Sequence, residues 1–518
     1  MRTMKFLILA WLLWPIQFFG LSQVLEPVRL EFPSRIDASA YHLELLGTEG
    51  MLMFYESTET MEDEKRKWYF SLLDTNFVEK WVQYVPLKDG LVFHSAETYQ
   101  QTTVFLFVSP EGKRSADAFE VLRLHHPSAS FGLIGGSLPE KALVKGFAVS
   151  GNYMLLALNL QKFTSDLLLF DLKQNSMQSI PHNLEGQTVV QYVSSSTDRN
   201  SFVVAIKHFD GNKFLGDVFL SFTSHGTLLH QWSYMDETHY IHSLTAFSDS
   251  DNSLLVAGSY GFQKRRATPK EASSPELSSE AKGMFFIRFI DDQPPKTSFN
   301  SFDKFSNIYS ALSTDDLIRA RQRSARSRSA EQDLHIGFQF YEPILIRFQD
   351  QYVYSAEAFK PKYRYETRMT YDFYGRLVPF TYSIFEGYQF FSALVAAFND
   401  QAEMLWTSDI ELRDVLVPRL QKNVNVIADS SSLILTQLQN GILTSKILDT
   451  GGQQQGMIEQ MKIENTFTND KLLEERKAWL QHWYGPYYLA TGYQRISNNR
   501  LRSHNPRTVF YIQKLILE

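Results

Sequence analysis

The chain has 518 residues, 44% of them hydrophobic, and a formal charge of −6 at neutral pH, a balance that argues against nucleic acid as a partner. It contains no cysteine, which excludes disulfides, thiolate metal sites, a cysteine nucleophile and a lipid-modified N-terminal cysteine. Without cross-links its stability rests on its core, and chains of this size bury roughly 75% of their unfolded surface.

The N-terminus has the layout of a secretory signal. Arg2 and Lys5 supply the positive start, residues 6–19 an apolar run, and Gly20 and Ser22 the small residues that a signal peptidase reads, leaving Gln23 as the expected new terminus. The run is interrupted by Pro15 and falls short of the roughly 20 apolar residues needed to span a bilayer. No later stretch reads as a span, so the mature chain is expected to be soluble, at most peripheral to a membrane, and about two charges more negative once Arg2 and Lys5 are removed.

From Tyr41 onwards, short runs of β-branched and aromatic residues alternate with Gly, Asn, Asp and Ser, as at 51–55, 103–108, 154–160, 202–208, 254–258 and 352–356. Each is about one strand long, and long helical periodicity is almost absent, so the chain reads as all-β. The runs repeat. A strand ending in a turn residue recurs at Leu73-Asp74, Phe170-Asp171, Ile290-Asp291, Asn399-Asp400 and Leu448-Asp449, the way an outer hairpin of a propeller blade is closed. Trp81, Trp232 and Trp406 follow such strands. Residues 254–260 with 283–290 parallel residues 488–493 with 508–515, each pair reading as the second and third strands of one blade.

Four strands per blade give units near 41–85, 91–136, 143–182, 187–233, 239–302, 335–410 and 424–463, with 484–518 completed by residues 25–32. The expected fold is a single β-propeller domain over 23–518, of seven or eight four-stranded blades, closed by joining the termini. A pair of β-sandwiches is the rival. Residues 264–282 and 313–333 read as polar insertions, the first disordered and the second a charged helix or mobile arm. Residues 470–483 read as one amphipathic helix capped by Asn469, with Leu472, Arg476, Trp479, Leu480 and Trp483 on one side.

No catalytic motif is present: no Gly-x-Ser-x-Gly elbow, no His-Glu-x-x-His helix and no phosphate-binding glycine loop. His239 with His242, and His125-His126, are the candidate metal ligands, but three residues along a strand places two side chains on opposite faces. Asp249-Ser250-Asp251-Asn252 carries oxygen donors and reads as a hairpin turn rather than a calcium loop. Accordingly no metal or cofactor is expected. Arg319, Arg321, Arg323, Arg326 and Arg328 form a local positive field suited to lipopolysaccharide phosphates or an acidic partner surface, or a solvated linker. Tyr352, Tyr354, Phe359, Tyr363, Tyr365, Tyr371, Phe373 and Tyr374 form an aromatic group for which packing between blades is favoured over stacking on sugars or gripping a peptide.

The arginine-rich segment, then residues 356–363 and 385–388, with Phe398-Asn399-Asp400, Leu405-Trp406, Trp483-Tyr484 and Gly492-Tyr493-Gln494, together resemble an exported β-propeller-like family of Bacteroidota-type bacteria without an assigned catalytic activity. The likeness covers roughly residues 313–518. It implies an envelope accessory role, of the kind filled by the plug subunit of the type IX secretion translocon. Asn399 and Thr407 stand where that family pattern has acidic residues.

The functional expectation is therefore an exported, periplasmic or outer-membrane-associated, non-enzymatic binding or assembly module, with a protein partner in the cell envelope, or a glycan or lipopolysaccharide, and no nucleic acid. Its expected binding residues are Arg319, Arg321, Arg323, Arg326, Arg328, Glu357, Tyr363 and Tyr388. The alternative is a carbohydrate-active hydrolase or lyase with two carboxylates in the propeller channel, Glu357 being the first to inspect because it is an acid within a strand. Expressed through an export pathway, the mature chain is expected to begin at Gln23 by N-terminal mass spectrometry; a retained Met1 would rule out the cleavage.

Overall fold

The computed structural model describes residues 28–36, 40–61, 63–110, 118–249, 253–262, 268–273, 281–291, 293–305, 318, 338–467, 469–498 and 505–516. The expected signal peptide, residues 1–22, and the arginine run lie outside the described residues. So do residues 250–252 of the expected hairpin turn.

The described strands form eight antiparallel sheets, seven of four strands and one that gains a short fifth strand, Leu416–Val417. In chain order the sheets span 41–88, 92–137, 143–179, 187–234, 239–301, 339–411 with its added strand, 424–462, and 471–516. Each is a simple up-and-down meander. The eighth takes its fourth strand from the other end of the chain, where Arg29–Pro33 pairs with Arg507–Ile516.

The period-two pattern of each central strand dictates how the sheets stack. Leu52 and Phe54 face the second sheet, meeting Phe105 and Phe107, whereas Met51 and Met53 face the eighth, meeting Trp483, Phe510 and Ile512. Val104 and Leu106 turn instead to Leu156 and Phe170 of the third sheet. The same division continues through the fourth to eighth sheets, so apolar clusters join every sheet to the next and the last to the first. This cyclic stacking of four-stranded meanders is a β-propeller.

Indole N–H groups repeat along the seams. Trp81 donates to the His126 carbonyl at 3.2 Å, Trp232 to Asp291 at 3.1 Å, Trp406 to Thr450 at 2.9 Å, and Trp483 to Gly50 across the closing seam at 2.9 Å. Gly50 lies at φ 121°, where a Cβ would stand 1.9 Å from the Leu73 carbonyl oxygen, so only glycine fits. The outer turns share one device: Asp74, Asp171 and Asp449 each accept two backbone N–H groups at 2.8–2.9 Å. Asn399 does the same with its amide oxygen at 2.9 Å, so its turn does not require a carboxylate.

Two expectations are corrected. Residues 470–483 are not a helix but part of the strand Lys471–Tyr484, paired with Tyr487–Ser497. Its ladder shifts register between Leu472 and Glu474, Arg476 and Trp479, and His482 and Tyr484, and each irregularity resets the alternation. The resulting spacing of Leu472, Trp479, Leu480 and Trp483 imitates a helical stripe. Insertion 264–282 is not without structure: Pro269–Ser273 is a short helix whose Thr268 and Glu271 cap one another, and Ala272 packs on Val189 and Phe209. No helix among the described residues is long and apolar enough to cross a membrane.

Inside the fourth sheet, buried Lys207 donates to Asp217 and to the Ile241 carbonyl, both at 2.8 Å, with its ammonium 4.1 Å from the Tyr240 ring centre. Removing one partner leaves the other charge uncompensated in the core. Lys207→Met is expected to destabilise the fold by about 3–5 kcal/mol in urea titrations, with Lys207→Met/Asp217→Leu recovering much of the loss. A double variant no better than the single one would contradict this account.

Candidate functional site

The first strand of each sheet lies nearest the ring centre, where first strands of successive sheets approach one another. Their C-terminal ends bring together Glu44 on Tyr41–Leu45, Glu97 on Val92–Tyr99, Val149 on Leu143–Ser150 and Ser195 on Gln187–Ser195. A cavity of about 650 Å³ opens there, lined by Glu44, Glu49, Ala96, Glu97, Thr98 and Arg199 among others.

The two strand carboxylates have unequal surroundings. Arg199, at φ 57° in the turn after Ser195, directs its guanidinium to the Glu97 carboxylate at 2.8 Å, the Ser195 hydroxyl at 2.6 Å and the Val149 carbonyl at 3.1 Å. The Val149 N–H also donates to Glu97 at 2.8 Å. Burial raises the Glu97 pKa, opposed by Arg199 and by that N–H. Glu44 has no such cation: burial pushes its pKa up to about 7, the Thr98 hydroxyl opposing and the Glu97 charge adding to the rise.

From Glu44 a line of hydrogen-bonding groups runs inward. The Thr98 hydroxyl donates to Glu44 at 2.9 Å and lies 2.8 Å from the Thr103 hydroxyl, which lies 2.8 Å from Nε2 of buried His126. Nδ1 of His126 is 3.6 Å from Glu49, and burial lowers the pKa of the ring. The arrangement sets a carboxyl group about half protonated at neutral pH beside an ion-paired carboxyl group, with a line of hydrogen-bonding side chains behind the first.

At the opposite ends of the first strands lies a second cavity, of about 570 Å³, with Tyr41, His42, Arg419, Lys422, Lys477 and Trp479 in its lining. The Lys422 ammonium stands 5.8 Å from the Trp479 ring centre. This lining sets three cations beside one carboxylate, Glu342, whereas the first sets three carboxyl groups beside one guanidinium.

The residues expected from sequence are distributed differently. Arg319, Arg321, Arg323, Arg326 and Arg328 lie outside the described residues. Glu357 is buried and does not enter either cavity: it accepts from the backbone of Asn423 at 2.7 Å and of Val424 at 2.8 Å, and from the Asn423 amide at 2.8 Å. It fastens the sixth sheet to the seventh, which corrects its reading as a channel carboxylate. Tyr363 and Tyr388 meet on one hairpin through Phe385, at ring distances of 5.6 and 5.0 Å. The aromatic group divides: Tyr352, Tyr354 and Phe359 are buried between sheets, while Tyr363, Tyr365, Tyr371, Phe373 and Tyr374 are exposed, a departure from uniform blade packing. His239 pairs with Asp236 at 3.1 Å and stacks on Phe299, while His242 contacts Tyr240. Glu44 and Glu97 were legible by the rule that singled out Glu357, an acid inside a strand, but nothing local distinguishes a channel face from a blade seam.

No protein-family model matches the chain, and no curated protein matches it. Solved structures similar to it include the β-propeller domain of the Trilobed protease from Pyrococcus furiosus, at 9% identity over 83% of this chain and 96% of that one, with a TM-score of 0.37. Two further likenesses are to prolyl endopeptidases, at 10% identity over 89% and 54% of the two chains with a TM-score of 0.37, and to dihydro-heme d1 dehydrogenase NirN, at 13% over 94% and 79% with 0.41. The chain thus spans about half the length of the prolyl endopeptidases. These propellers belong to enzymes, which corrects the expectation of a non-enzymatic binding or assembly module; the likeness is one of architecture.

Because the folded pKa of Glu44 is raised above its ordinary value of 4.5, the native state holds the proton that the unfolded chain releases first. Its ionisation therefore lowers stability as pH rises from about 4.5 to about 7, by about 3 kcal/mol at most. Urea denaturation at about pH 5 and about pH 8 is expected to show this fall, and Glu44→Gln to remove its share; an unchanged pH profile in the variant would contradict the assignment.

Proposed function

We propose that the chain is a closed eight-bladed propeller with an acid–base hydrolytic site in the mouth lined by Glu44 and Glu97. The observation that carries the reading is that neighbouring first strands deliver two carboxylates to one cavity, of which only Glu97 is held by a guanidinium. Glu44, about half protonated near pH 7 because burial pushes its pKa up to about 7, gives its proton to the leaving atom of a bound substrate as the bond to that atom breaks. Glu97, ion-paired with Arg199, draws a proton from water as that water attacks the substrate. Glu97 then releases its proton to solvent and Glu44 regains one from solvent through the open cavity, its carboxyl group held by the Thr98 hydroxyl.

Gln100 and Gln101 in the same lining supply amide groups that suit a polar ester or amide linkage. Among the described residues the lining contains no aromatic ring on which a sugar could stack, and the amide groups favour the ester or amide version over the carbohydrate one. Eight sheets stacked in a cycle support the blade count, and the layout of Arg2, Lys5 and residues 6–19 supports export.

The test is turnover of chromogenic ester, anilide and glycoside substrates by the mature protein. Glu44→Gln and Glu97→Gln are each expected to lower kcat by about 10²–10⁴-fold, Glu357→Gln to leave it unchanged, and the wild-type rate to decline above about pH 7 as Glu44 ionises. No turnover in any class, or turnover indifferent to both variants, would end this reading.

A further inference from the structure

The sixth sheet carries a hairpin that outgrows its blade. Its second and third strands, Gln351–Tyr371 and Leu377–Phe398, are about twice as long as their counterparts. Beyond Lys362 they continue as a two-stranded arm, paired from Tyr363 with Phe385 to Tyr371 with Leu377, about 30 Å long at strand rise. Where it leaves the sheet, Gly387 sits at φ 142°, and a Cβ there would come within 2.5 Å of the Val417 carbonyl oxygen.

The register assigns the arm's faces. Tyr363, Tyr365, Thr367, Met369 and Tyr371 stand on one side with Leu377, Pro379 and Phe385. Arg364, Glu366, Arg368 and Thr370 stand on the other with Val378, Phe380 and Tyr382. Exposure increases towards the tip: Tyr365 is 72% exposed, Tyr371 73%, Tyr374 78% and Phe373 97%. An isolated hairpin with this much uncovered apolar surface invites a partner.

We propose that the tip of this arm docks on a lipid bilayer, seating Phe373, Tyr374, Tyr371 and Leu377 at the boundary between headgroups and acyl chains. Three observations favour a bilayer over a protein surface. Apolar side chains flank the tip on both faces, Tyr371 and Leu377 on one and Val378 and Phe380 on the other; a flat protein partner covers one face, whereas a fluid interface surrounds both. Four N–H groups of the tip are already bonded, those of Tyr374 and Arg376 to the Asp372 carboxylate at 2.9 Å, that of Asp372 to the Arg376 carbonyl at 2.9 Å and that of Gly375 to the Asp372 carbonyl at 3.0 Å, which lowers the cost of entering a water-poor region. The arm's carboxylates are also held: Glu366 by Arg364, Arg368 and the Tyr382 hydroxyl, Asp372 by Arg376, and Glu386 by Lys362 and Arg364. Lys362, Arg364, Arg368 and Arg376 outnumber them by one, so the arm is net positive on a chain of formal charge −6, and its cations can reach lipid phosphates while tyrosine hydroxyls remain wet. The inference does not depend on the hydrolytic reading.

The absence of cysteine allows a direct test, because a single introduced thiol reports without background. The protein is labelled at Tyr374→Cys or, as a control on an outer turn of the first sheet that carries no aromatic tip, at Asn76→Cys, with an environment-sensitive dye. It is then mixed with vesicles of phosphatidylcholine alone or with phosphatidylglycerol. The expected result is a blue shift at position 374 and none at 76, larger with the anionic lipid, together with co-sedimentation that falls at least about tenfold in unlabelled Phe373→Ser/Tyr374→Ser. Thermal melting of that variant should match wild type, since both side chains are exposed. No shift at 374 with either vesicle, or sedimentation unchanged in the double variant, would overturn the proposal. A lipid-independent dimer abolished by the same substitutions would overturn it in favour of a second copy of the chain.

Discussion

Burial on both faces of every central strand is the constraint from which the rest follows. A strand such as Thr102–Val108 sends alternate side chains into two different neighbours, so no sheet can be the last without leaving an apolar face in water. The solution is cyclic, and it needs a seam. Here the seam is a covalently free joint: Arg29–Pro33 is laid against Arg507–Ile516, Arg29 bonds Gln494 at 2.7 Å and Gln513 at 3.1 Å, and Arg507 pairs with Glu31 at 3.2 Å. In a chain without disulfides this contact between the two ends holds the ring shut, and the positions of Glu44, Glu97 and Arg199, drawn from three different sheets, depend on it.

What the sequence discloses follows the same logic. Runs at 51–55, 103–108, 202–208 and 352–356 are legible because burial on both faces makes them predominantly apolar, and each lies in the second strand of a sheet. The turns at Asp74, Asp171 and Asp449 are legible because the side chain that closes the turn sits at a fixed offset within it. By contrast, the strand Lys471–Tyr484 is disguised by its own bulges. The function of Glu357 was hidden for another reason: an acid within a strand can face solvent, a channel or a seam, and only the neighbouring sheet decides. For Glu357 that neighbour supplies three donors; for Glu44 it supplies one threonine hydroxyl and an open cavity.

The two mouths of the ring also differ in what they ask of a visitor. One presents Glu44, Glu49 and Glu97 around a single arginine, the other Arg419, Lys422 and Lys477 beside Trp479. The Glu97–Arg199 pair and the raised pKa of Glu44 reduce the net charge of the first set, and Glu342 offsets one cation of the second.

The arm of the sixth sheet is, in geometric terms, a ruler. Because it prolongs two strands already in register, its length can change by pairs of residues without disturbing the blade beneath it, each pair on both strands moving the tip by about 7 Å while keeping the same side chains on the same faces. A change of one residue on each strand instead exchanges the two faces. Stand-off distance and facing are thus adjustable in separate steps, and the gap between the ring and whatever the tip touches is set by a count of residue pairs rather than by any packing in the core.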